Sequence, residues 1–128
     1  MIQVSNTINT ILTSELGTAV ANRIYPIMAP ANAAFPYILY KVKTMPVDGT
    51  KDGNERIVTA EITVIAKGYA AAHTIADQIE DAFLQSEATL NNADLYDPEF
   101  AGEDEDAVEA LDVNAYAVMN RINLTQYT

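Results

Sequence analysis

Residue types that support catalysis and metal binding are missing or scarce in this chain. It contains no cysteine and a single histidine, His73, among 128 residues. The missing cysteine excludes disulfides, thiolate metal sites and cysteine nucleophiles. One isolated histidine is a poor basis for a metal site, because zinc sites combine several His or Cys ligands. The sequence also lacks a nucleophile elbow and a glycine-rich phosphate loop. We therefore predict no catalytic, metal-binding or cofactor-binding residues.

Basic residues are also scarce. The chain has 7 Lys and Arg against 18 Asp and Glu, which gives a formal net charge of −11. Binding to phosphate backbones or to anionic lipids requires clustered basic side chains, so nucleic acid and membranes are not expected as partners. The acidic excess keeps a protein soluble, and it also complements a basic surface on a protein partner.

Long hydrophobic runs are absent from the beginning of the chain. The segment MIQVSNTINTILTSEL has neither the basic start of a signal peptide nor the apolar length of a membrane span. We expect a protein that acts in the cytosol, where it is made. We also expect residues 1–128 to form one domain, which would bury about two-thirds of the unfolded surface.

Residues 55–85 organise the predicted fold. Alternation predicts a strand over residues 55–66, and spacings of three and four predict a helix after Gly68. The apolar strand positions are Val58, Ala60, Ile62, Val64 and Ala66, and the apolar helix positions are Ala72, Ile75, Ala76, Ile79, Ala82 and Phe83. Because Thr59, Glu61 and Thr63 lie on the other strand face, we expect the helix to cover one face of an antiparallel sheet.

The first half of the chain predicts another helix and two strands. A helical stripe consists of Val4, Ile8, Ile11, Leu12 and Leu16. Ser5 is the expected N-cap of this helix, and Gly17 is expected just past its end. Residues 23–26 are expected to be extended, residues 28–36 to form a loop, and residues 37–44 (YILYKVKT) to form a strand.

After the second helix, we predict a short strand over residues 89–96, an acidic loop over 97–106 and a long strand over 111–124. The predicted class is α+β, with a mostly antiparallel sheet of about four strands and two helices packed on one face. Two loops, the hairpin connection over residues 45–54 and the acidic loop over residues 97–106, are the candidate interaction sites, because long loops in small domains are often functional. The candidate interface residues are Met45, Asp48, Lys51, Asp52, Asn54, Glu103, Asp104, Glu105 and Asp106.

Several short motifs, each present once, follow one another along the chain in a recognisable order. They are Arg23-Ile24-Tyr25-Pro26, Phe35-Pro36-Tyr37-Ile38-Leu39-Tyr40, Asp48-Gly49, the strand from Arg56 to Ala66, Ala76-Asp77 and Phe83-Leu84. This order resembles the tail completion, or tail terminator, proteins of long-tailed bacteriophages and prophages, also described as tail-to-head joining proteins.

The resemblance implies a small α+β subunit that forms a ring, expected to be a hexamer, on the end of the tail tube. Such a ring stops tube polymerisation and offers its other face to the head connector. The implied partners are other copies of the chain, the tail tube protein and the head connector or stopper protein. The implied location is the head–tail junction of the virion, after assembly in the bacterial host cytoplasm.

Two other functions are compatible with the residues. The first is a cytosolic acidic module without catalytic activity that binds a basic protein surface, as an inhibitor does; the net charge is its only support. The second is a small enzyme that uses carboxylates, which the scarcity of acid–base groups disfavours.

The ten-residue connection over residues 45–54 provides a test of the resemblance. Deleting residues 50–54 should leave the subunit folded, since exposed loops tolerate truncation, but should abolish tail capping. Electron microscopy of tails from the mutant phage measures the effect. Tails of normal length that are joined to heads would contradict the assignment of this loop to an interface.

Overall fold

The structure, a computed structural model, describes residues 2–46, 55–110 and 113–127. The elements are α1 (Ile2–Leu16), β1 (Ile24–Pro26), β2 (Tyr37–Pro46), β3 (Glu55–Ala66), α2 (Tyr69–Gln85), α3 (Glu87–Asn91), β4 (Leu95–Ala110) and β5 (Val113–Tyr127). They build a five-stranded sheet in the order β1-β2-β3-β5-β4, in which only the β1–β2 pair is parallel. The predicted α+β class is confirmed, with one more strand and one more short helix than expected.

Strand β3 lies at the centre of the sheet, between β2 and β5. Its register places Ile62 opposite Tyr40 on one side and opposite Asn120 on the other. The five apolar positions predicted to share a face are all buried: Val58, Ala60, Ile62, Val64 and Ala66. The predicted inward face of this strand is therefore confirmed.

The helices cover this inner face. Helix α1 packs on β1 and β2, α2 on β3 and β5, and α3 on β4. All the stripe residues predicted for α1 and α2 are buried in one core cluster with the inner face of β3. In the described parts of the chain, no helix is long and apolar enough to cross a membrane.

The ends of α1 differ from expectation. The prediction of Ser5 as N-cap is wrong, because the helix already begins at Ile2 and Val4 is buried within it. Gly17 follows the last residue of the helix, as predicted. Glycine is required there because the Thr13 carbonyl oxygen and the Asn22 side chain lie too close for a Cβ atom. A Cβ atom at Gly17 would lie 2.4 Å from the Thr13 carbonyl oxygen and 2.6 Å from Asn22 Oδ1. A larger residue there would force the following turn away from the helix.

The C-terminal region corrects two predictions. The strand expected over residues 89–96 is wrong in its first half, where α3 covers Glu87–Asn91. The loop expected over residues 97–106 is wrong as well, because these residues belong to β4 and pair with β5, with register irregularities between Tyr96 and Gly102. Acidic residues are depleted in strands generally, but charges are common on edge strands, which face solvent.

The motifs that carry the family resemblance meet in space. The Arg23 guanidinium donates from Nε to the Pro36 carbonyl oxygen at 3.0 Å and from Nη2 to the Phe35 carbonyl oxygen at 3.1 Å. These bonds join the start of β1 to the loop that leads into β2. The two strands then pair in parallel, with Ile24 opposite Ile38.

Burial of the inner face of β3 predicts the effect of a charge there. The substitution Ile62→Asp should unfold the subunit, because an unpaired buried carboxylate costs on the order of 5 kcal/mol or shifts to its neutral form at similar expense. Thr63→Asp, on the opposite face of the same strand, is the matched control and should remain folded. Circular dichroism melts compare the two; a cooperative melt of Ile62→Asp near the wild-type temperature would contradict the assignment of the faces.

Candidate interaction surfaces

The face of the sheet opposite the helices is the first candidate surface. In the described ranges no helix packs on it. Its centre is apolar, with the partly exposed Leu39 on β2 and Met119 on β5 and the buried Ile65 on β3. Ile65 is buried without belonging to the core cluster beneath the helices. We call this surface the outer face.

Charged side chains form a row across the outer face. The register aligns Lys41 with Glu61, Glu61 with Arg121, and Arg121 with Gly102, so the row crosses β2, β3, β5 and β4. Lys43 Nζ lies 2.5 Å from one Glu61 oxygen, and Lys41 Nζ lies 3.8 Å from the other. On β4 the row ends at a negative residue, Asp104, two positions beyond Gly102.

That negative end is Asp104, whose Oδ2 lies 2.6 Å from Arg121 Nη2. We define the outer-face charge row by five residues: Lys41, Lys43, Glu61, Arg121 and Asp104. From β2 to β4 the signs alternate positive, negative, positive, negative. The row therefore presents a positive end at β2 and a negative end at β4, and each cross-strand pair of opposite charge stabilises the sheet modestly.

Glu61 is the buried centre of this row, with 7% of its surface exposed. The hydrogen bond from Lys43 lowers the pKa of Glu61, and the positive charges of Lys41 and Arg121 act in the same direction. Desolvation of the carboxylate raises the pKa and partly opposes these effects. The net lowering means that the folded protein prefers the ionised carboxylate.

A second charged cluster lies where α2 meets β4. His73 Nδ1 lies 3.4 Å from Glu103 Oε1, and His73 Nε2 contacts Glu105 Oε2. The Tyr69 hydroxyl donates a hydrogen bond to the same Glu105 oxygen. The centroids of the Tyr69 and His73 rings lie 4.6 Å apart. Hydrogen bonds from Tyr69 and His73 lower the pKa of Glu105, and the bond to Glu105 raises the pKa of the Tyr69 hydroxyl. This cluster attaches the edge strand to α2.

The four consecutive acids of β4 are thus divided between two faces. Glu103 and Glu105 point toward α2, while Asp104 and Asp106 lie on the outer face, because successive side chains of a strand alternate. The prediction that residues 103–106 belong to an acidic loop is therefore wrong, because these four exposed residues lie on a strand and alternate between its two faces. Among the described residues, no group of three His, Cys, Asp or Glu side chains is arranged to hold a metal ion.

Met45 is the one candidate from the first predicted loop that the structure describes. It lies on β2, 61% exposed, at the edge of an open groove of about 550 Å³ on the outer face. The groove is lined by Met45, Ile57, Asp97, Pro98, Glu99, Asn123 and Thr125. The remaining candidates of that loop, Asp48, Lys51, Asp52 and Asn54, lie outside the described residues. Met45 and the 103–106 segment are on strands separated by β3 and β5.

Sequence reasoning missed the positive half of the charge row. Lys41 and Lys43 occupy alternate positions of the strand predicted over residues 37–44. Glu61 lies on the polar face of the strand predicted over residues 55–66, so the sequence indicates the face of each residue separately. The register between strands brings them together, and periodicity within one strand does not specify it. The place of Arg121 opposite Glu61 could not be predicted for the same reason.

In the described part of the chain, the sheet has helices on one face and none on the other, and its charge row ends positive at β2 and negative at β4; exposed sheet surfaces of this kind are typical sites of association with other chains. Comparison with known proteins agrees. The family model described as tail completion protein gp17 matches residues 10–121. The chain belongs to this family, whose members are structural proteins of phage tails.

A solved structure supports the fold. The chain is similar to a protein in the virion of the native gene transfer agent particle, with 19% sequence identity and a TM-score of 0.62. The alignment covers 92% of this chain and 91% of that chain. A search of curated proteins gives no match.

The lowered pKa of Glu61 predicts how stability depends on pH. A carboxylate whose pKa is lower in the folded state contributes stability above its unfolded pKa, near 4.5, and this contribution is lost as the pH falls through the folded pKa. Glu61→Gln should therefore lower the free energy of unfolding by about 1 kcal/mol at pH 7, because the lysine partners are half exposed. The difference from wild type should shrink below pH 4.5.

Urea denaturation between pH 3 and pH 7 measures this effect. Glu80→Gln on α2 is the control, since it removes the same charge without removing the contacts with Lys41 and Lys43. A Glu61→Gln deficit that persists unchanged at pH 3 would show that the carboxylate charge does not stabilise the fold.

Proposed function

We propose that this protein is a tail terminator, with residues 1–128 acting as one domain. Copies of the chain form a ring, expected to be hexameric, on the end of the phage tail tube. The ring stops tube polymerisation and provides the joining surface for the head connector. It acts by binding alone, with no catalytic step. The single observation that carries the proposal is the match of the tail completion family over residues 10–121.

The similarity to a chain of a gene transfer agent virion supports this proposal, because that chain is a component of an assembled particle. The corresponding location for this protein is the head–tail junction of the virion, reached after assembly in the host cytoplasm. A ring of this kind stops elongation by occupying the surface at which the next tube subunits would add. Its opposite surface is then free to bind the connector.

The outer face supports the same proposal in physical terms. Its apolar centre and charge row lie on strands whose opposite face is packed in the core. A surface that is already formed in the folded subunit needs less ordering on association, which reduces the entropy lost. The candidate contacts of the subunit with ring neighbours or tail tube remain Met45, Asp48, Lys51, Asp52, Asn54 and residues 103–106.

Loss of the protein from its phage tests the proposed function. Without a terminator, tube growth should be unchecked, and overlong tails should accumulate separately from filled heads. Electron microscopy of lysates measures tail length and the fraction of tails that carry heads. Wild-type protein supplied from a plasmid during infection should restore tails of correct length that are joined to heads, and the Ile62→Asp variant is the inactive control.

The contrary outcome is equally specific. Tails of normal length joined to heads in the absence of the protein would refute the terminator function. If, in addition, the purified protein were monomeric and bound a basic host protein in a salt-sensitive manner, the acidic binding module would be the better description.

A further inference from the structure

The turn that follows β1 presents two apolar side chains to solvent. Ile27 and Met28 are 67% and 74% exposed, and among the described residues they form the only consecutive pair of exposed large hydrophobic residues. The Met28 N–H donates to the Pro26 carbonyl oxygen at 2.7 Å, and Ile27 between them has a φ of +67°. A three-residue turn with this bond and a positive central φ is the rare, strained form of the γ-turn. We call Ile27 and Met28 the apolar turn.

The conformation of Ile27 indicates that stability does not determine this residue. A β-branched residue at positive φ is an outlier, whereas glycine adopts such a φ without steric cost. The Ile27 N–H also donates to the Tyr40 carbonyl oxygen at 2.9 Å, which fixes the turn against β2. The chain thus holds an exposed isoleucine in a strained position, and strained residues of this kind are concentrated at functional sites.

The surroundings of the apolar turn are basic. Residues 16–47 contain no Asp or Glu, although the whole chain has 18. The same stretch contains Arg23, Lys41 and Lys43, three of the 7 basic residues. The bond from Ile27 to Tyr40 places the turn next to Lys41, whose side chain is half exposed. A surface that complements this turn should be apolar with acidic residues around it.

The groove of about 550 Å³ on the outer face has these properties. Its lining includes three apolar and two acidic residues, which are Met45, Ile57, Pro98, Asp97 and Glu99. The acidic side of the groove belongs to residues 94–109, which contain eight Asp and Glu and no Lys or Arg. Pockets of this volume hold drug-sized ligands, so the groove has room for two apolar side chains.

The turn and the acidic side of the groove lie at opposite edges of the sheet in one chain. The turn follows β1, and Asp97 to Glu99 belong to β4, at the other end of the strand order. The two edges are four strand spacings apart, roughly 19 Å. A contact between the turn of one copy and the groove of the next therefore uses two different surfaces. Such a head-to-tail contact generates a ring when the rotation closes.

We propose that neighbouring subunits of the ring associate by inserting the apolar turn of one copy into the outer-face groove of the next. Ile27 and Met28 pack on the apolar lining, and the basic residues beside the turn lie near Asp97 and Glu99. The partner is a second copy of this chain, and the inference rests on the proposed ring. In a chain of net charge −11, this contact brings the longest stretch without acidic residues against the most acidic one.

Disulfide trapping tests the contact, because the natural chain has no cysteine to interfere. In the double variant Met28→Cys/Glu99→Cys, the two thiols of one chain are too far apart to bond, since a disulfide needs Cα atoms within about 7 Å. Mild oxidation is applied to concentrated protein and to phage particles assembled with the variant. We expect a ladder of covalent multimers on non-reducing gels.

The matched control is Met28→Cys/Asp81→Cys, which replaces an exposed acid of α2 instead of an acid of the groove. A head-to-tail contact also predicts that Met28→Cys and Glu99→Cys form no dimers alone but form them when mixed. Ladders from position 99 and none from position 81 would support the proposal. Equal ladders from both positions, or none from either, would overturn it.

Substitution of the turn gives a second measurement. Ile27→Gly/Met28→Ser should weaken self-association at least about tenfold in light scattering, because two apolar side chains lose their burial at the interface. The same variant should melt at or above the wild-type temperature, since glycine relieves the positive φ. A turn with a purely structural role would instead lower the melting temperature.

Leu84→Ser is the control for this variant, because Leu84 is an exposed apolar residue of α2. It should associate as wild type does. Equal weakening by both variants, or association of the turn variant at wild-type strength, would contradict the proposed contact. Circular dichroism melts verify that each protein is folded.

The outcomes separate this inference from the proposed function. Six-fold rings in negative-stain images together with no cross-links between positions 28 and 99 would leave the terminator function intact and overturn the contact. Cross-linked multimers together with normal tails in the deletion phage would support the contact and refute the terminator function.

Discussion

The structure depends on the burial of the inner face of β3 beneath the helices. Five apolar side chains alternate along this strand, and all five are buried in the core shared with α1 and α2. Since the side-chain repeat of a strand is two, a slip of one residue would exchange this apolar set for Thr59, Glu61 and Thr63. Strands β2 and β5 pair with β3 along most of its length, and the same burial limits their register to those that keep their own apolar residues on the inner face.

That register also creates the outer face. Each strand that contributes apolar residues to the core must direct its alternate residues away from the helices. The charge row arises because those alternate residues are lysines on β2, Glu61 on β3, Arg121 on β5 and Asp104 on β4. A fold stabilised by one face of its sheet thus presents, on the other face, a surface whose two ends are complementary. This arrangement suits a structural protein of a phage tail, the family to which the chain belongs.

The parts of the fold that could be predicted are those governed by local periodicity. The stripes of α1 and α2 and the inner face of β3 depend on residues three, four or two positions apart, and burial follows these repeats directly. The errors have a common physical origin. Residues 97–106 have a composition typical of a loop, yet they form an edge strand, because pairing with β5 outweighs weak strand propensity. The candidate interface was likewise divided between two faces by alternation along β4.

The sequence by itself determined the class of the fold, the buried face of its central strand, the two long helices and, through the order of short motifs, the family. These properties depend on residues near one another in the chain and on burial of apolar side chains. Only the tertiary structure decided which strands are neighbours, where the edges lie, and that Lys41, Glu61, Arg121 and Asp104 form one row. Contacts between strands distant in sequence follow from sheet register, and no periodicity within a single strand specifies that register.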